Sequence, residues 1–240
     1  NGFDVDQKLA SMIDGIDVIL TGHTHDAIPK GIRIKDTLLL SSGSHGKYLG
    51  RIDLKVKNGK VVDTSSNLIP VFSDIIPPDP DMKKLINKIR APYQSECNRV
   101  IGETETLLYR RGNFNGSWDD VICDTIIRER DTEISLSPGF RWGTTLLPGQ
   151  KITIDDIYSQ TSMNYPEVYR IEMTGKMIKE ILGDVCDNIF NPDPFFQQGG
   201  DMVRVGGLTY TCRPKNKMGK RISNLRIISS DKPLESNKSY

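Results

Sequence analysis

The sequence is poor in the residues that mark several specialised protein classes. Only four of its 240 residues are cysteines, and they lie far apart at Cys97, Cys123, Cys186 and Cys212. No C-x-x-C pair occurs, which excludes a zinc knuckle and a thioredoxin-like redox motif. We therefore expect free thiols, those of Cys123 and Cys186 in the core.

The sequence also lacks an excess of charge of either sign, and it lacks long apolar runs. The chain has 32 basic and 31 acidic residues, a net charge of +1, whereas a nucleic-acid or anionic-membrane surface needs concentrated positive charge. No apolar run approaches the roughly 18 to 20 residues of a membrane span. The sequence predicts neither a nucleic-acid nor a membrane partner, and we expect a monomer.

The length suggests one large domain or two modest ones, since domains average roughly 150 residues. The clearest boundary is a proline cluster, DIIPPDPD, that begins after Ser73. Proline has no backbone N–H, so this cluster interrupts the regular hydrogen bonding of helices and sheets. We predict a first domain over residues 1–72, a proline-rich linker and helix over 73–99, and a second, truncated domain over 100–240. Because the chain begins at Asn1 and stops at Tyr240 without a polar tail, we expect a fragment of a longer protein.

Strand and hairpin signals dominate the first 72 residues. Two short apolar runs, Asp17–Leu20 and Leu38–Leu40, end in Thr-Gly and Ser-Ser-Gly. Such endings are typical of buried strands whose following loops carry site residues, so we predict two strands that lead into loops. The alternating stretch Arg51–Asp63 contains Asn58-Gly59, a pair that suits a type I′ turn and predicts a β-hairpin.

Helical periodicity marks three later segments. They are Met82–Cys97, Trp118–Arg130 and Lys176–Phe190. In the second, we expect Trp118, Val121, Ile122, Thr125 and Ile126 on the buried face and charged residues opposite. A buried strand is predicted over Ile134–Leu136.

Two of the three histidines lie in the motif Gly22-His23-Thr24-His25-Asp26, directly after a predicted strand. In an extended segment, residues two apart project to one side, so both imidazoles would reach one metal cluster. From spacing alone, a turn with two exposed histidines is an equally good alternative, and the concentration of two of only three histidines in this motif favours the metal site. Asp26 either orients a ligand histidine or caps the next turn.

Gly-His-Thr-His resembles the last signature of the calcineurin-like metallophosphoesterases, which bind two metal ions. The resemblance implies that His23 binds one metal and His25 the other, with metal-bound hydroxide as the nucleophile and no protein nucleophile. The family's other metal ligands have no counterpart here and would lie upstream. So would the Asn-His that either protonates the leaving thiol or orients the sulfonate. We expect the 240-residue chain alone to bind metal weakly and to be inactive.

Three later segments follow in order the pattern of 5′-nucleotidase C-terminal domains. They are Ser137–Gly143, Leu147–Thr153 and Met173–Ile178. The resemblance places Arg141 in the substrate pocket, where its planar fork would match two oxyanion oxygens. A surface salt bridge is the alternative for Arg141 alone. The expected fold is α/β plus α+β: the end of a metallophosphoesterase β-sandwich layer, then a 5′-nucleotidase-like C-terminal domain.

Longer strings resemble one branch, the SoxB thiosulfohydrolases of bacterial sulfur oxidation. They are RRGNFNG from Arg110, SPGFRWGTT from Ser137, NPDP from Asn191 and QQGGDMVRVGG from Gln197. The resemblance implies a periplasmic enzyme with two divalent ions, manganese by family resemblance, that hydrolyses a cysteine S-thiosulfonate on a sulfur-carrier protein and releases sulfate. Trp142, Gly143 and Asp201 are further expected pocket members.

Two other functions stay open at this point. One is a 5′-nucleotidase or related nucleotide phosphohydrolase, with the same metals and fold. The other is a non-catalytic module that binds a carrier protein. The glycines of Gly199-Gly200 and Gly206-Gly207 either admit a carrier's extended tail or form tight hairpins.

One further histidine, one arginine and one basic run are expected to be solvent-exposed residues without a role in the site. His45 is expected to be a solvated loop histidine, although it could face the cleft. Arg204 is expected to face solvent, since it alternates with two valines in a strand. The basic run Lys215–Arg221 is expected to form a solvated turn.

Overall fold

The computed structural model describes residues 2–110, 112–140, 143–161, 167–198 and 200–240. The chain forms two compact units, of which the first comprises Asn1–Lys88 with Pro192–Gly199 and the second Ile89–Asn191 with Gly200–Tyr240. The boundaries expected at residues 72 and 99 stay a prediction. Among the described helices, none combines the length and apolar character that crossing a bilayer requires.

Six α-helices and twelve β-strands make up the described secondary structure. The helices are α1 (Phe3–Met12), α2 (Pro80–Arg90), α3 (Gln94–Cys97), α4 (Ser117–Arg130), α5 (Ile154–Thr161) and α6 (Gly175–Ile189). The strands are β1 (Val18–Thr21), β2 (Ile32–Ile34), β3 (Thr37–Ser41), β4 (Tyr48–Lys57), β5 (Lys60–Pro70), β6 (Val100–Glu103), β7 (Ser135–Ser137), β8 (Lys151–Thr153), β9 (Arg204–Gly206), β10 (Leu208–Cys212), β11 (Ile222–Ile227) and β12 (Lys232–Pro233). These small sheets with interspersed helices confirm the expected mixed α/β class.

The first unit is built on a three-stranded sheet of order β1-β3-β2. Every residue of β3 is buried, and Leu39 packs with Phe3 and Ala10 of α1. Strands β1 and β3 are parallel, with Thr21 opposite Ser41. Their carboxyl ends therefore reach the same edge of the sheet, which confirms that two neighbouring strands deliver loops to one place.

A long hairpin of β4 and β5 follows this sheet. Its ladder runs from Tyr48 opposite Pro70 to Lys57 opposite Lys60. Asn58 and Gly59 form the turn with φ angles of 52° and 73°, both in the left-handed region that a type I′ turn requires. The hairpin predicted from Asn-Gly is confirmed.

The helix predicted over Met82–Cys97 is interrupted. Helix α2 ends at Arg90, a 3₁₀ turn covers Ala91–Tyr93, and α3 resumes at Gln94. Pro92 has no backbone N–H and cannot continue an α-helical ladder. The expectation of one continuous helix was therefore wrong at this proline.

In the second unit, α6 packs on the sheet of β10, β11 and β12. Its buried residues Ile178, Leu182 and Cys186 share a core with residues of β10 and β11. Thr174 caps the helix, because its hydroxyl accepts a hydrogen bond from the Met177 N–H at 3.2 Å, a contact typical of helix N-termini. The helix predicted over Lys176–Phe190 is confirmed, with observed bounds of Gly175–Ile189.

Helix α4 lies where the periodicity placed it, but it buries a different face. Trp118 and Cys123 are 1% exposed, as expected for core residues, and Asp119 is completely buried. Val121 is 44% exposed, and Thr125 is also exposed. The expected apolar face was wrong for these two residues, because buried charge partners attract Asp119 inward.

Candidate functional site

The two parallel strands of the first unit deliver two histidine-containing loops to one edge of the sheet. His23 and His25 follow β1, and His45 follows β3. His23 and His45 are exposed, and His25 is half-buried. The exposure of His45 confirms its expected place in a solvated loop.

The segment from Gly22 to His25 is a turn and not the extended segment expected. The His25 N–H donates to the Gly22 carbonyl at 3.2 Å, and His25 has a φ angle of 58°. The Thr24 hydroxyl donates to the Asp26 carboxylate at 2.5 Å, which stabilises this turn. The argument from an extended segment was therefore wrong, and the metal-ligand role of both histidines stays a prediction.

A cleft of about 570 Å³ lies beside His23 in the first unit. Its lining combines apolar and amide side chains with one imidazole. The lining residues are Val5, Leu9, His23, Phe195, Gln197 and Gln198. Three of these six side chains are apolar and three are polar, and such a combination can bind a ligand that has both kinds of surface.

An ion pair anchors the segment that forms one wall of this cleft. The Lys8 ammonium lies 2.5 Å from the Asp193 carboxylate and 4.4 Å from the centroid of the Phe195 ring. Asp193 also accepts a hydrogen bond from the Phe195 N–H at 2.9 Å. The hydrogen bond from Lys8, followed by that from the backbone of Phe195, lowers the pKa of Asp193. The cleft wall therefore depends on an ionised carboxylate.

Asp193→Asn should loosen this wall. Because the folded-state pKa of Asp193 lies below its ordinary value, its stabilising contribution is present above the unfolded-state pKa of about 4 and is lost as pH falls through the lowered value. We expect the amides of residues 195–198 to exchange faster in the variant at pH 7. Hydrogen exchange read by mass spectrometry measures this.

The matched control is Asp14→Asn, which removes an exposed carboxylate that lies 3.0 Å from Lys35 in the same unit. Exchange over residues 195–198 should not change in that variant. Equal exchange in the parent and in Asp193→Asn would contradict the role given to the Lys8 contact.

The described residues do not by themselves complete a metal centre. Within them, no group of three or more histidine, cysteine or acidic side chains lies close enough to hold a metal ion. Two imidazoles fall short of the usual coordination number of a divalent ion. The described part of the chain thus provides at most part of a ligand set.

A second candidate element is formed by the loop residues 138–140 and 143–144 of the second unit. Arg141 and Trp142, both predicted pocket residues, lie outside the described residues. On their amino-terminal side, the Pro138 carbonyl accepts from Arg110 at 3.4 Å, and the Phe140 carbonyl accepts from Arg204 at 3.5 Å. Two buried guanidinium groups therefore hold the backbone that leads to Arg141.

Gln160 holds the other side of this loop. Its side-chain amide donates to the Thr144 carbonyl at 2.7 Å, and its own backbone carbonyl accepts from Arg110 at 2.5 Å. Gly143 has a φ angle of 88°, and a Cβ there would lie 2.4 Å from the Gln160 amide. Gly143 therefore supports the loop by allowing Gln160 to approach, while its predicted contact with substrate stays a prediction.

The two arginines share one buried carboxylate. Arg110 Nε donates to Asp119 Oδ1 at 2.7 Å, and Arg204 Nε lies 3.2 Å from Asp119 Oδ2 as an ion pair. The side chains of all three are at most 1% exposed. We call Arg110, Asp119 and Arg204 the charged triad.

Arg204 is therefore wrongly predicted as a solvent-facing residue. It also lies 3.5 Å from Asp201, whose side chain is only 3% exposed, and it donates to the Gly112 carbonyl at 2.6 Å. The alternation with two valines does not predict the burial of Arg204. A short strand can bury a charged side chain when carboxylates pair with it and carbonyls accept its hydrogen bonds. Asp201 lies beside Gly139 of the loop, but its predicted contact with substrate stays a prediction.

The glycines that follow have different structural roles. A Cβ on Gly207 would lie 1.9 Å from the Glu133 carbonyl oxygen, whereas a Cβ on Gly200 would meet no atom within 4 Å. Gly207 is thus required by a close backbone approach, but it forms no tight hairpin, since β9 pairs with β7 and β10 pairs with β11. Gly200 has a φ angle of 92° and open space beside it.

Comparison with protein families matches residues 100–240 to the 5′-nucleotidase C-terminal domain. Among curated proteins, the chain is 26% identical over 239 residues to the trifunctional nucleotide phosphoesterase YfkN of Bacillus subtilis, covering 95% of this chain and 16% of that protein. It is 27% identical over 277 residues to bovine 5′-nucleotidase, covering all of this chain and 48% of that protein.

Two solved structures have similar folds. The sulfate thiohydrolase SoxB of Thermus thermophilus, in complex with glycerol, matches with a TM-score of 0.94 and 37% identity over 100% of this chain and 44% of that one. A 5′-nucleotidase precursor of the same organism matches with a TM-score of 0.76 and 20% identity over 98% of this chain and 50% of that one. The chain thus spans half or less of the length of these proteins.

Proposed function

This chain belongs to the family of 5′-nucleotidase C-terminal domains, and we propose that the protein that contains it is a thiosulfohydrolase of the SoxB type. Its substrate would be a cysteine S-thiosulfonate on a carrier protein, and its product sulfate. The proposal rests mainly on the whole-chain likeness to the sulfate thiohydrolase, which is higher in identity than the likeness to the nucleotide-cleaving relatives.

In the proposed reaction, water oxygen bonds to the sulfonate sulfur while the bond between that sulfur and the neighbouring sulfur breaks. The leaving sulfur takes a proton and stays on the carrier, and the sulfonate departs as sulfate. The group to be recognised is a tetrahedral oxyanion, and a guanidinium fork matches a pair of its oxygens. We assign this contact to Arg141, with Trp142, Gly143 and Asp201 as proposed neighbours in the substrate pocket.

The described contacts hold the carbonyls of Pro138, Phe140 and Thr144, which lie on either side of Arg141 in the chain. Arg110 and Arg204 bind the carbonyls before it, and Gln160 binds the Thr144 carbonyl after it. Holding the backbone that flanks a binding group reduces the freedom which that group loses when it meets its ligand, and this would favour both affinity and orientation. We therefore give the charged triad the role of positioning this loop.

The proposed cofactor is a pair of divalent metal ions, assigned as manganese by family resemblance. Such a pair would supply an activated water and positive charge for the oxyanion. We propose that His23 and His25 provide two of the ligands and that the others come from parts of the complete protein beyond this chain. For this chain alone, we expect weak metal binding and no hydrolysis.

A periplasmic location and a sulfur-carrier partner complete the proposal. A carrier cysteine presented on an extended tail needs an approach free of side chains. The open space beside Gly200 would allow such an approach. No nucleic-acid or membrane partner is proposed, in keeping with the balanced charge.

An assay of the complete protein with two substrates tests the proposal. Manganese-loaded protein is incubated with a peptide that carries a cysteine S-thiosulfonate, and separately with AMP, and the sulfate and phosphate released are measured. We expect sulfate release and little phosphate. Phosphate from AMP without sulfate from the peptide would support the second candidate, a 5′-nucleotidase, which the family match and the curated relatives favour.

Matched histidine variants separate hydrolysis from binding. His23→Ala and His25→Ala should abolish sulfate release and weaken manganese binding in a calorimetric titration, since each removes a proposed ligand. His45→Ala removes an exposed loop histidine and should leave both unchanged. Carrier-peptide binding without turnover of either substrate would reject the hydrolase and indicate a binding module, and unchanged manganese affinity in both ligand variants would reject the metal assignment.

A further inference from the structure

Two of the four thiols lie in contact inside the second unit. Cys186 Sγ and Cys212 Sγ are 3.3 Å apart, and both residues are free cysteines. Cys186 lies on α6 and is completely buried, whereas Cys212 ends β10 and is half-buried. A disulfide has an S–S distance of about 2.05 Å, so closure needs an approach of about 1.3 Å.

The backbone on both sides of this contact is already fixed. Asp187, next to Cys186, receives the Arg221 guanidinium at 2.8 Å, and Arg221 also donates to the Phe190 carbonyl at 3.0 Å. Arg221 precedes Ile222, which is the antiparallel partner of Cys212. The same arginine therefore holds the end of α6 against the strand pair that carries the second thiol.

Arg221 also corrects an expectation from the sequence. It ends the basic run Lys215–Arg221, for which the sequence predicts a solvated turn, but Arg221 itself is only 5% exposed. The ion pair with Asp187 and the carbonyl contacts explain its burial. The thiol contact thus lies in an ordered part of the unit and not in a loose loop.

We propose that Cys186 and Cys212 are a disulfide-forming pair that closes when the protein meets a thiol–disulfide oxidant. The half-buried Cys212 thiolate attacks the oxidant's disulfide, forms a mixed disulfide and releases one thiolate. The Cys186 sulfur then attacks Cys212 Sγ and releases the second thiolate, which takes up the proton of the Cys186 thiol. Two thiols are oxidised and one disulfide of the oxidant is reduced, so atoms and electrons balance.

The order of these steps follows from accessibility. Burial, and then the hydrogen bond with Cys212, raise the pKa of the Cys186 thiol to about 12, so this sulfur is a poor first nucleophile. Once Cys212 carries the oxidant, Cys186 needs no access to solvent-borne reagent because its target lies beside it. The inference is independent of the proposed hydrolase activity.

The closed bridge would restrain a functionally placed loop. The residues between the two cysteines include the cleft-wall segment 192–198 as well as Asp201 and Arg204. Cross-linking a chain segment of this length removes unfolded-state freedom and should raise the melting temperature by about 10 °C. The bridge would thus stabilise the elements that lead to both candidate site regions.

Peptide mapping of the purified protein tests the pair. The protein is oxidised with glutathione disulfide, its remaining thiols are alkylated, and it is digested with trypsin, which places Cys186 in residues 180–204 and Cys212 in residues 205–215. We expect a linked peptide whose mass is lower by two hydrogen atoms than the sum of both and which disappears on reduction. The oxidised protein should also melt about 10 °C higher than the reduced one.

Two serine variants complete the design. Cys212→Ser should abolish both the linked peptide and the oxidation-dependent melting shift, whereas Cys97→Ser should retain both. Recovery of Cys186 and Cys212 as separate alkylated or glutathione-capped peptides after oxidation would overturn the proposal. So would a bridge from Cys212 to Cys97.

Discussion

Asp119→Ala is expected to lower the free energy of unfolding by about 3–5 kcal/mol, the usual cost of removing one partner of a buried ion pair. The substitution leaves the guanidinium groups of Arg110 and Arg204 buried without the carboxylate they share. Urea unfolding followed by circular dichroism measures the change. We expect the midpoint to fall and the slope to stay the same.

A nearby exposed carboxylate provides the control. Asp124 lies on the same helix, but it is exposed, so Asp124→Ala should change the stability by less than about 0.5 kcal/mol. Equal effects of the two substitutions would contradict the role given to the charged triad.

Apolar replacement of the whole charged triad tests a finer point. In some proteins an apolar core of similar volume is as stable as a buried ion pair. Here Arg110 also satisfies the carbonyl of the buried Gln160 and Arg204 that of the half-buried Gly112, and both carbonyls would lose these donors. We therefore expect Arg110→Met, Asp119→Leu and Arg204→Met combined to remain less stable than the parent. A triple variant of parental stability would mean that these carbonyl contacts contribute nothing.

Gly139→Ala is expected to give the second large effect. A Cβ at this position would lie 2.3 Å from the Met202 carbonyl oxygen and 2.9 Å from Asp201 Cβ. The two backbone segments must separate, at a cost of about 1–3 kcal/mol. If the loop after Gly139 presents Arg141 to the oxyanion as proposed, a displacement of about 1 Å should lower kcat/KM of the complete protein for the thiosulfonate peptide by about 100-fold.

The matched substitution is Gly102→Ala in β6, where an added Cβ meets nothing within 4 Å. Its stability and its kcat/KM should stay near those of the parent. A Gly139→Ala protein with parental kcat/KM would contradict the placement of this loop in the substrate pocket, even if the protein were less stable.

Elements whose cause lies in neighbouring residues could be predicted from the sequence. The β4–β5 hairpin follows from Asn58-Gly59, since few other pairs adopt positive φ at both turn positions. The start of α6 follows from Thr174, whose hydroxyl accepts a hydrogen bond from the backbone N–H three residues later and so caps the helix. The carboxyl ends of β1 and β3 were predictable because apolar runs stop at glycine-containing loops.

Features that depend on distant partners could not be predicted in this way. Arg204 alternates with valines like an exposed strand residue, and only the fold reveals Asp119, which lies far away in sequence, as its partner. The Gly22–His25 turn depends on the side-chain contact between Thr24 and Asp26, which the histidine spacing does not encode.

The cleft-wall segment bears on how this molecule folds. Lys8 and Asp193 are 185 positions apart in the chain, yet the segment Pro192–Gly199 is part of the unit that begins at the amino terminus. Contacts of such high sequence separation form late, because a long loop must close before they are gained. In a protein that is divided between Lys88 and Ile89, α1 and that segment lie on separate pieces. The carboxyl-terminal piece should therefore hold this segment without its partners in α1, which the amino-terminal piece supplies.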